Sequence, residues 1–310
     1  MKKLNKIIKN VADKYKKVSQ KITYSYGNDI EFHVFDKIKN KMVSAIDVLN
    51  GRDKYNPIDL GDGIMCYHDN ILIETSFPPY YSKDEMFNRL ETVIGRIHKL
   101  IGDNYELVPQ AAHVYDKEAL TNPKALESGC SVNFNAYTVA PNPPTQFKGG
   151  LRSAGFHCHV GSKNEILKDF NTKINTVKAL DIYLGVASVI FNPDKTEINR
   201  RKIYGRSSEH RPCDAFNGFE YRPLSPGILR SRETTELAFD LFNYTLKQVE
   251  DNKLEEILSL VDSKDVQCAI DNCDVKLAKQ VLSKAKLPKD LMNRVTKKYK
   301  FDFKSAWGLK

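Results

Sequence analysis

The run Asp29-Ile30-Glu31-Phe32-His33-Val34 alternates apolar and ionisable residues one by one. A strand sends successive side chains to opposite faces, so Ile30, Phe32 and Val34 belong to one face and Asp29, Glu31 and His33 to the other. Two further runs repeat the design. In Phe156-His157-Cys158-His159-Val160 the apolar residues oppose His157 and His159, and in Phe219-Glu220-Tyr221-Arg222 the aromatics oppose Glu220 and Arg222. Glu74 opposes Ile71 and Ile73 in the same way. Such alternation belongs to an antiparallel sheet with one packed and one open face. An ordinary open face mixes Lys, Thr, Ser and Glu. This one carries carboxylates, imidazoles and arginines.

That selection has a chemistry. Carboxylates with an imidazole suit Mg²⁺ or Mn²⁺. Arginines beside them suit phosphate oxygens, which the guanidinium fork meets bidentately. Acids for a metal and arginines for phosphates are what ATP-dependent chemistry needs. The competing reading is ion pairing across the sheet for Glu31 and Glu220, turn carboxylates for Asp29 and Glu74, and a pair of surface imidazoles for His157 and His159. His33 shares the acidic face, and a structural hydrogen bond is its expected role.

The rest of the chain is consistent with one large core or a core with an appendage: 310 residues, 41% hydrophobic. The net charge of +9 favours anionic partners but is partly concentrated near the N-terminus, so nucleic acid is not the expected partner. Six scattered cysteines without a Cys-x-x-Cys pair argue against a zinc ribbon or a disulfide framework. No stretch reads as apolar for long enough to span a bilayer, no signal-peptide core is legible, and the expected location is the cytoplasm. Residues 1–22 read as a basic amphipathic helix packed on the body of the protein. A capping box at Ser82/Glu85 opens a helix that Gly102 closes. Short strands are expected around Met42–Val48 and at Tyr105–Val108 and Val132–Tyr137. A buried helix is expected from about Glu165 to Ile190, and helices throughout from Arg232, around 253–262, 274–286 and 288–300.

Four motifs, in order over about residues 24–230, carry a resemblance to the glutamine synthetase and carboxylate–amine ligase superfamily. Tyr26–Asp36 resembles the strand whose two acids, two apart, each ligate a metal. Ser153-Ala154-Gly155-Phe156-His157-Cys158-His159 is similar to the Ser-Gly-Met-His-Cys-His stretch, whose first histidine is a metal ligand and whose second lies by the nucleotide phosphates. Gly205–Pro212 resembles a segment that sets two arginines, here Arg206 and Arg211, at phosphates and substrate. Phe219–Arg222 resembles the Glu-Val-Arg strand, acid to metal and arginine to substrate. Tyr204-Gly205…Arg211…Glu220-Tyr221-Arg222-Pro223-Leu224-Ser225 and Cys130…Asn133–Thr138 are closer still to the phage-associated type-2 class of these ligases.

The resemblance implies an α+β protein with a glutamine synthetase-like catalytic fold. A curved, mainly antiparallel sheet would be backed by helices at 82–102 and 164–192, with ligase residues 23–232 and a C-terminal helical region 233–310. It implies ATP- and Mg²⁺- (or Mn²⁺-) dependent joining of a carboxylate to an amine through an acyl phosphate. Metal ligands would be Asp29, Glu31, Glu74, His157 and Glu220. Arg206, Arg211 and Arg222 would be catalytic. His159, Arg200, Arg201 and Arg206 would contact nucleotide, the adjacent pair Arg200/Arg201 being equally readable as a solvated face. Arg152, Asn133, Asn135 and Arg222 would contact substrate, with turn-capping the other reading of the two asparagines. The second acid beside Glu74 is open between Asp62, His68 and Asp69. Arg152, standing just before the small-residue loop, and the missing small N-terminal domain make glutamate and ammonia poor substrate guesses. The acid and the amine, the latter on a small molecule, peptide or protein, stay open, as does oligomeric state; a phage-encoded copy would work in the host cytoplasm. The competing functions are phosphotransfer without ligation, as in guanidino kinases, and an inactivated basic protein that binds nucleic acid or serves assembly.

Overall fold

The computed structural model describes residues 24–127, 132–144, 147 and 149–309. The basic helix expected at 1–22 lies outside these residues.

The strands are β1 (Tyr24–Asp36), β2 (Lys41–Val43), β3 (Ile58–Asp59), β4 (Met65–Asp69), β5 (Leu72–Ser76), β6 (Tyr105–Val108), β7 (Ala112–Val114), β8 (Phe134–Asn135), β9 (Ala140–Pro141), β10 (Leu151–Ser153), β11 (Phe156–Ser162), β12 (Glu209–Cys213) and β13 (Gly218–Tyr221). Eleven of them form one sheet in the order β3-β4-β5-β1-β11-β13-β12-β8-β9, with β2 and β6 also on β1; β7 and β10 pair separately. Every described pairing between these strands is antiparallel. The expected alternation holds on β1: Ile30, Phe32 and Val34 are fully buried, together with Phe156, Val160, Phe219 and Tyr221 from the neighbouring strands. The protein is thus a mixed α/β structure built on a large antiparallel sheet.

The helices are α1 (Ala45–Val48), α2 (Lys83–Ile101), α3 (Phe170–Leu180), α4 (Val186–Phe191), α5 (Glu197–Ile203), α6 (Arg232–Glu250), α7 (Leu254–Ser259), α8 (Ser263–Asp271), α9 (Val275–Lys284), α10 (Lys289–Thr296) and α11 (Phe303–Ala306). On α2, Ser82 Oγ accepts from Glu85 N while Glu85 Oε2 accepts from Tyr81 N, and Met86, Leu90, Val93, Ile94 and Ile97 are buried. A wider π turn, Asp181–Gly185, joins α3 to α4. It places the Asp181 carboxylate 2.8 Å from the Tyr221 hydroxyl, which anchors β13 from below. One apolar cluster runs from Tyr24 to Trp307, so the C-terminal helices share the core of the sheet.

Several expectations are corrected. After β2 the chain turns helical, because Ser44 accepts from Ile46 N and caps α1. Strand β8 is only Phe134–Asn135, since Asn135 Oδ1 accepts from Tyr137 N and Thr138 N and bends the chain. The C-terminal region holds two additional helices, α8 and α11. The segment Phe170–Phe191 is long and apolar enough to cross a membrane by length and composition, contrary to the sequence reading. Its most apolar window is 78% buried inside the fold, as a core helix requires.

Candidate active site

Strand register assembles the site. Asp29 faces His157 across β1/β11, and Glu31 faces Glu74 across β1/β5, with Tyr67 beside Glu74 on β4. His159 and Arg211 flank Glu220 from β11 and β12. All of these side chains but His159 project from one face of six consecutive strands into a cavity of about 170 Å³ that Asp69, Lys54 and Arg222 also line. A second chamber of about 270 Å³ shares Asp29, Arg211 and Glu220 and is bounded by Phe77, Pro79 and Phe216.

Two ligand groups stand out. In the first, Glu31, Asp69 and Glu74 bring carboxylate oxygens within 4.8 Å of one another. Burial pushes all three carboxyls above their ordinary range, and for Glu31 and Glu74 the Asp69 charge adds to it; Glu31 rises to about 7. Lys54 and Arg222 offset this only in part. Three crowded acids that repel one another in a cavity fit a hard divalent cation, which would remove the repulsion it finds there. Glu31 is held in place from the loop before β11: its Oε2 accepts from Gly155 N at 2.5 Å, and its own N–H donates to Gly155 O at 3.0 Å.

The second group is Asp29, His157 and Glu220. His157 Nδ1 lies 3.2 Å from Glu220 Oε1, and Nε2 lies 3.2 Å from the Tyr204 hydroxyl. Burial, then the charges of Arg222 and Arg200, hold this imidazole well below its ordinary pKa, in the neutral form a metal ligand needs. The ring fits because residue 155 is glycine: a Cβ there would stand 2.3 Å from His157 Nε2. Glu220 is buried at the centre, paired with Arg222 Nη1 and with Arg211 Nη1, the latter at 3.3 Å. Its Oε2, the oxygen that Arg211 approaches, is ion-paired there without a hydrogen bond. His159 Nε2 lies 3.0 Å from Asp29 Oδ2. Burial disfavours its charge, but the hydrogen bonds to Asp29 and Cys213 and the nearby acids outweigh it and push its pKa up to about 10.

The structure therefore brings together Asp29, Glu31, Glu74, His157, Glu220, His159, Arg211 and Arg222. It takes the other predicted residues elsewhere. Arg200 is fully buried and donates to the carbonyls of Ala154, Arg222, Pro223 and Leu224; Arg201 donates to Pro223. Both clamp the backbone just after β13 rather than reaching a nucleotide. The left-handed Gly205 (φ 69°) leaves room for the Arg200 guanidinium, which a Cβ would meet at 1.9 Å. Arg206 is exposed and turns back to the carbonyls of Arg201 and Lys202 at the end of α5. Asn133 donates to Glu209, and Asn135 takes its turn-capping reading. Arg152 is 1% exposed and donates to Asn70 Oδ1 and to the carbonyls of Ala125, Gly149 and Leu151, so the fold itself takes up its guanidinium. Arg152→Ala should therefore cost about 2–4 kcal/mol of stability by orphaning these acceptors, while leaving Mn²⁺ affinity unchanged; a urea melt and a Mn²⁺ titration check the two halves.

Sequence reasoning did not single out Tyr67 or Lys54, it gave Tyr204 only as part of a motif with no role, and it left Asp69 as one of three choices. Tyr67 and Asp69 share a face by the same two-residue spacing used for β1, so that signal was present. His68 points the other way, with Nδ1 3.1 Å from Asn70 O, and Asp62 pairs with Arg96. Lys54 comes from the exposed turn before β3, which Asp53 ties by accepting from Tyr55 N and Asn56 N. No periodicity marks it.

No family model matches the chain, and no curated protein matches it. Among solved structures it is similar to a bifunctional glutathione synthetase from Pasteurella multocida, at 12% identity and a TM-score of 0.44, over 88% of this chain and 46% of that one. It is also similar to a novel glutamine synthase homolog, at 11% identity and a TM-score of 0.43, over 92% of this chain and 67% of that one. The chain thus spans about half the length of the first.

Proposed function

We propose that this protein is an ATP- and divalent-cation-dependent carboxylate–amine ligase. The observation that carries the reading is the pair of ligand groups, Glu31/Asp69/Glu74 and Asp29/His157/Glu220, set on one sheet face with Arg211 between two connected chambers. The resemblance of four ordered motifs to that superfamily supports it. The two groups would hold Mg²⁺ or Mn²⁺, whose bound charge would neutralise a triphosphate. Phe77, Pro79 and Phe216 make the second chamber apolar enough for a nucleobase.

The chain's own residues position and neutralise. Arg211 is partly exposed between the chambers and can shift from Glu220 to the oxygens of a transferring phosphoryl group. Arg222 is buried against Glu220 and keeps that carboxylate oriented. His157, neutral and braced by Tyr204, offers a lone pair without adding charge. A substrate carboxylate oxygen would attack the γ-phosphorus as the β–γ bridge breaks and ADP leaves. An amine would then attack the acyl carbon and release phosphate. No side-chain nucleophile is required.

Hydroxylamine tests the reading without knowledge of the natural amine. The protein, with Mn²⁺, ATP and a panel of carboxylic acids, should form a hydroxamate together with equal ADP and phosphate. Phosphotransfer without ligation would instead give a phosphorylated product and no hydroxamate. Absence of nucleotide binding, with nucleic-acid affinity that collapses as salt rises, would favour the inactivated basic protein.

A further inference from the structure

We propose that His159 Nδ1, Cys213 Sγ and a Glu220 carboxylate oxygen form a soft-metal site that overlaps the Asp29/His157/Glu220 group and takes a zinc-class cation. The inference does not rest on the ligase reading, because it follows from ligand chemistry alone.

The three residues come from adjacent strands, β11, β12 and β13, and each offers a ligand atom within 4.8 Å of the others. His159 stands opposite Glu220, and Cys213 shares a face of β12 with Arg211, which also stands opposite Glu220. The Nδ1 to Sγ separation is 3.9 Å. A tetrahedral zinc ion with ordinary Zn–N and Zn–S bonds sets those two atoms about 3.6 Å apart, so a shift of a few tenths of an ångström completes the geometry.

The second observation is on the far side of the imidazole. His159 Nε2 is 3.0 Å from Asp29 Oδ2. A carboxylate on the outer nitrogen fixes the ring and turns the other nitrogen toward the ion, as the partners of zinc-bound histidines do. Cys213 and His159 both line the 270 Å³ chamber, so an ion has a path in and a free fourth position for water. A site built for Mg²⁺ alone has no use for a thiol, since hard cations take oxygen ligands. Binding displaces the protons of Nδ1 and Sγ to solvent and leaves a thiolate on the metal.

Glu220 belongs to this group and to Asp29/His157/Glu220 alike. An ion at the soft site draws Glu220 away from the hard one, so zinc and Mn²⁺ compete.

Cobalt is the probe. Co²⁺ added to the full chain should give a thiolate-to-cobalt charge-transfer band in the near ultraviolet and visible bands of tetrahedral intensity. Zn²⁺ should abolish both at about equimolar concentration, and Mg²⁺ only in large excess, by drawing Glu220 to the hard group. Cys213→Ser should remove the charge-transfer band and weaken zinc binding by about 10²-fold or more. Cys268→Ser, at an exposed thiol on α8, should change nothing. His159→Gln, its fold checked by circular dichroism, should lose the band as Cys213→Ser does. A band that survives Cys213→Ser, or Co²⁺ binding with no charge-transfer band in the wild type, would overturn the proposal.

Discussion

Glu220→Gln is expected to lower Mn²⁺ affinity by about 10²-fold and ATP turnover by on the order of 10²–10³-fold. The substitution keeps shape and removes one charge from the hub of the site. Glu220 faces His157 Nδ1, Arg222 Nη1 and Arg211 Nη1 at once, with 1% of its surface exposed. An amide there turns either its NH₂ or its weaker acceptor toward two guanidinium groups. Removing one partner of a buried ion pair costs about 3–5 kcal/mol, so Tm should fall by roughly 5–10 °C. Affinity and turnover are therefore measured well below that Tm, where the folded chain dominates. Wild-type Mn²⁺ affinity in this variant would remove Glu220 from the metal site, and unchanged turnover would end the ligase assignment.

The second large effect concerns the acids at the other end. Glu31→Gln combined with Glu74→Gln should stabilise the metal-free protein at about pH 8 and cut its stabilisation by Mn²⁺ to the share that the Asp29/His157/Glu220 group supplies. Glu31, Glu74 and Asp69 have folded-state pKa values above their ordinary ones, chiefly through burial. Between the ordinary glutamate value of 4.5 and the folded value of about 7 for Glu31, the folded chain holds protons the unfolded chain has released. Stability contributed by these groups thus falls as pH rises through that window. The neutral imidazoles of His33 and His157 act oppositely: their folded pKa values lie below 6.5, so they lose stability as pH falls below it. The carboxylate share is accordingly read as the difference between wild type and double variant in melts from about pH 5 to about pH 8. In the wild type, Mn²⁺ at about 100 times its Kd should restore about 2.7 kcal/mol, and more of it at the alkaline end. A double variant less stable than wild type at the alkaline end, or stabilised by Mn²⁺ as strongly as wild type, would contradict the crowded-acid account.

Much of the site was legible because a strand has period two. Once Asp29/Glu31, His157/His159 and Glu220/Arg222 were each placed on an open face, any antiparallel pairing of their strands would gather them. The register makes the meeting direct: Asp29 opposite His157, Glu31 opposite Glu74, His159 opposite Glu220. The arginines were legible only as a cluster. Arg200, Arg201 and Arg206 sit on or beside α5, where backbone carbonyls compete with any ligand for a guanidinium, and local sequence does not say which acceptor wins. Arg152 shows the same limit, since its role depends on the carbonyl of Ala125, far away in sequence.

By itself, then, the sequence determined the alternating strands, the helix caps such as Ser82 with Glu85, and the residue types of the metal-facing face, because each depends on neighbours within a few positions. Only the tertiary structure decided which acid joins Glu74, which arginines face the cavity, that Lys54 lines it, and that Tyr204 and Cys213 stand beside the histidines. Those choices are made by strand register and by competition for buried hydrogen-bond acceptors, and both join residues that the chain keeps tens to hundreds of positions apart.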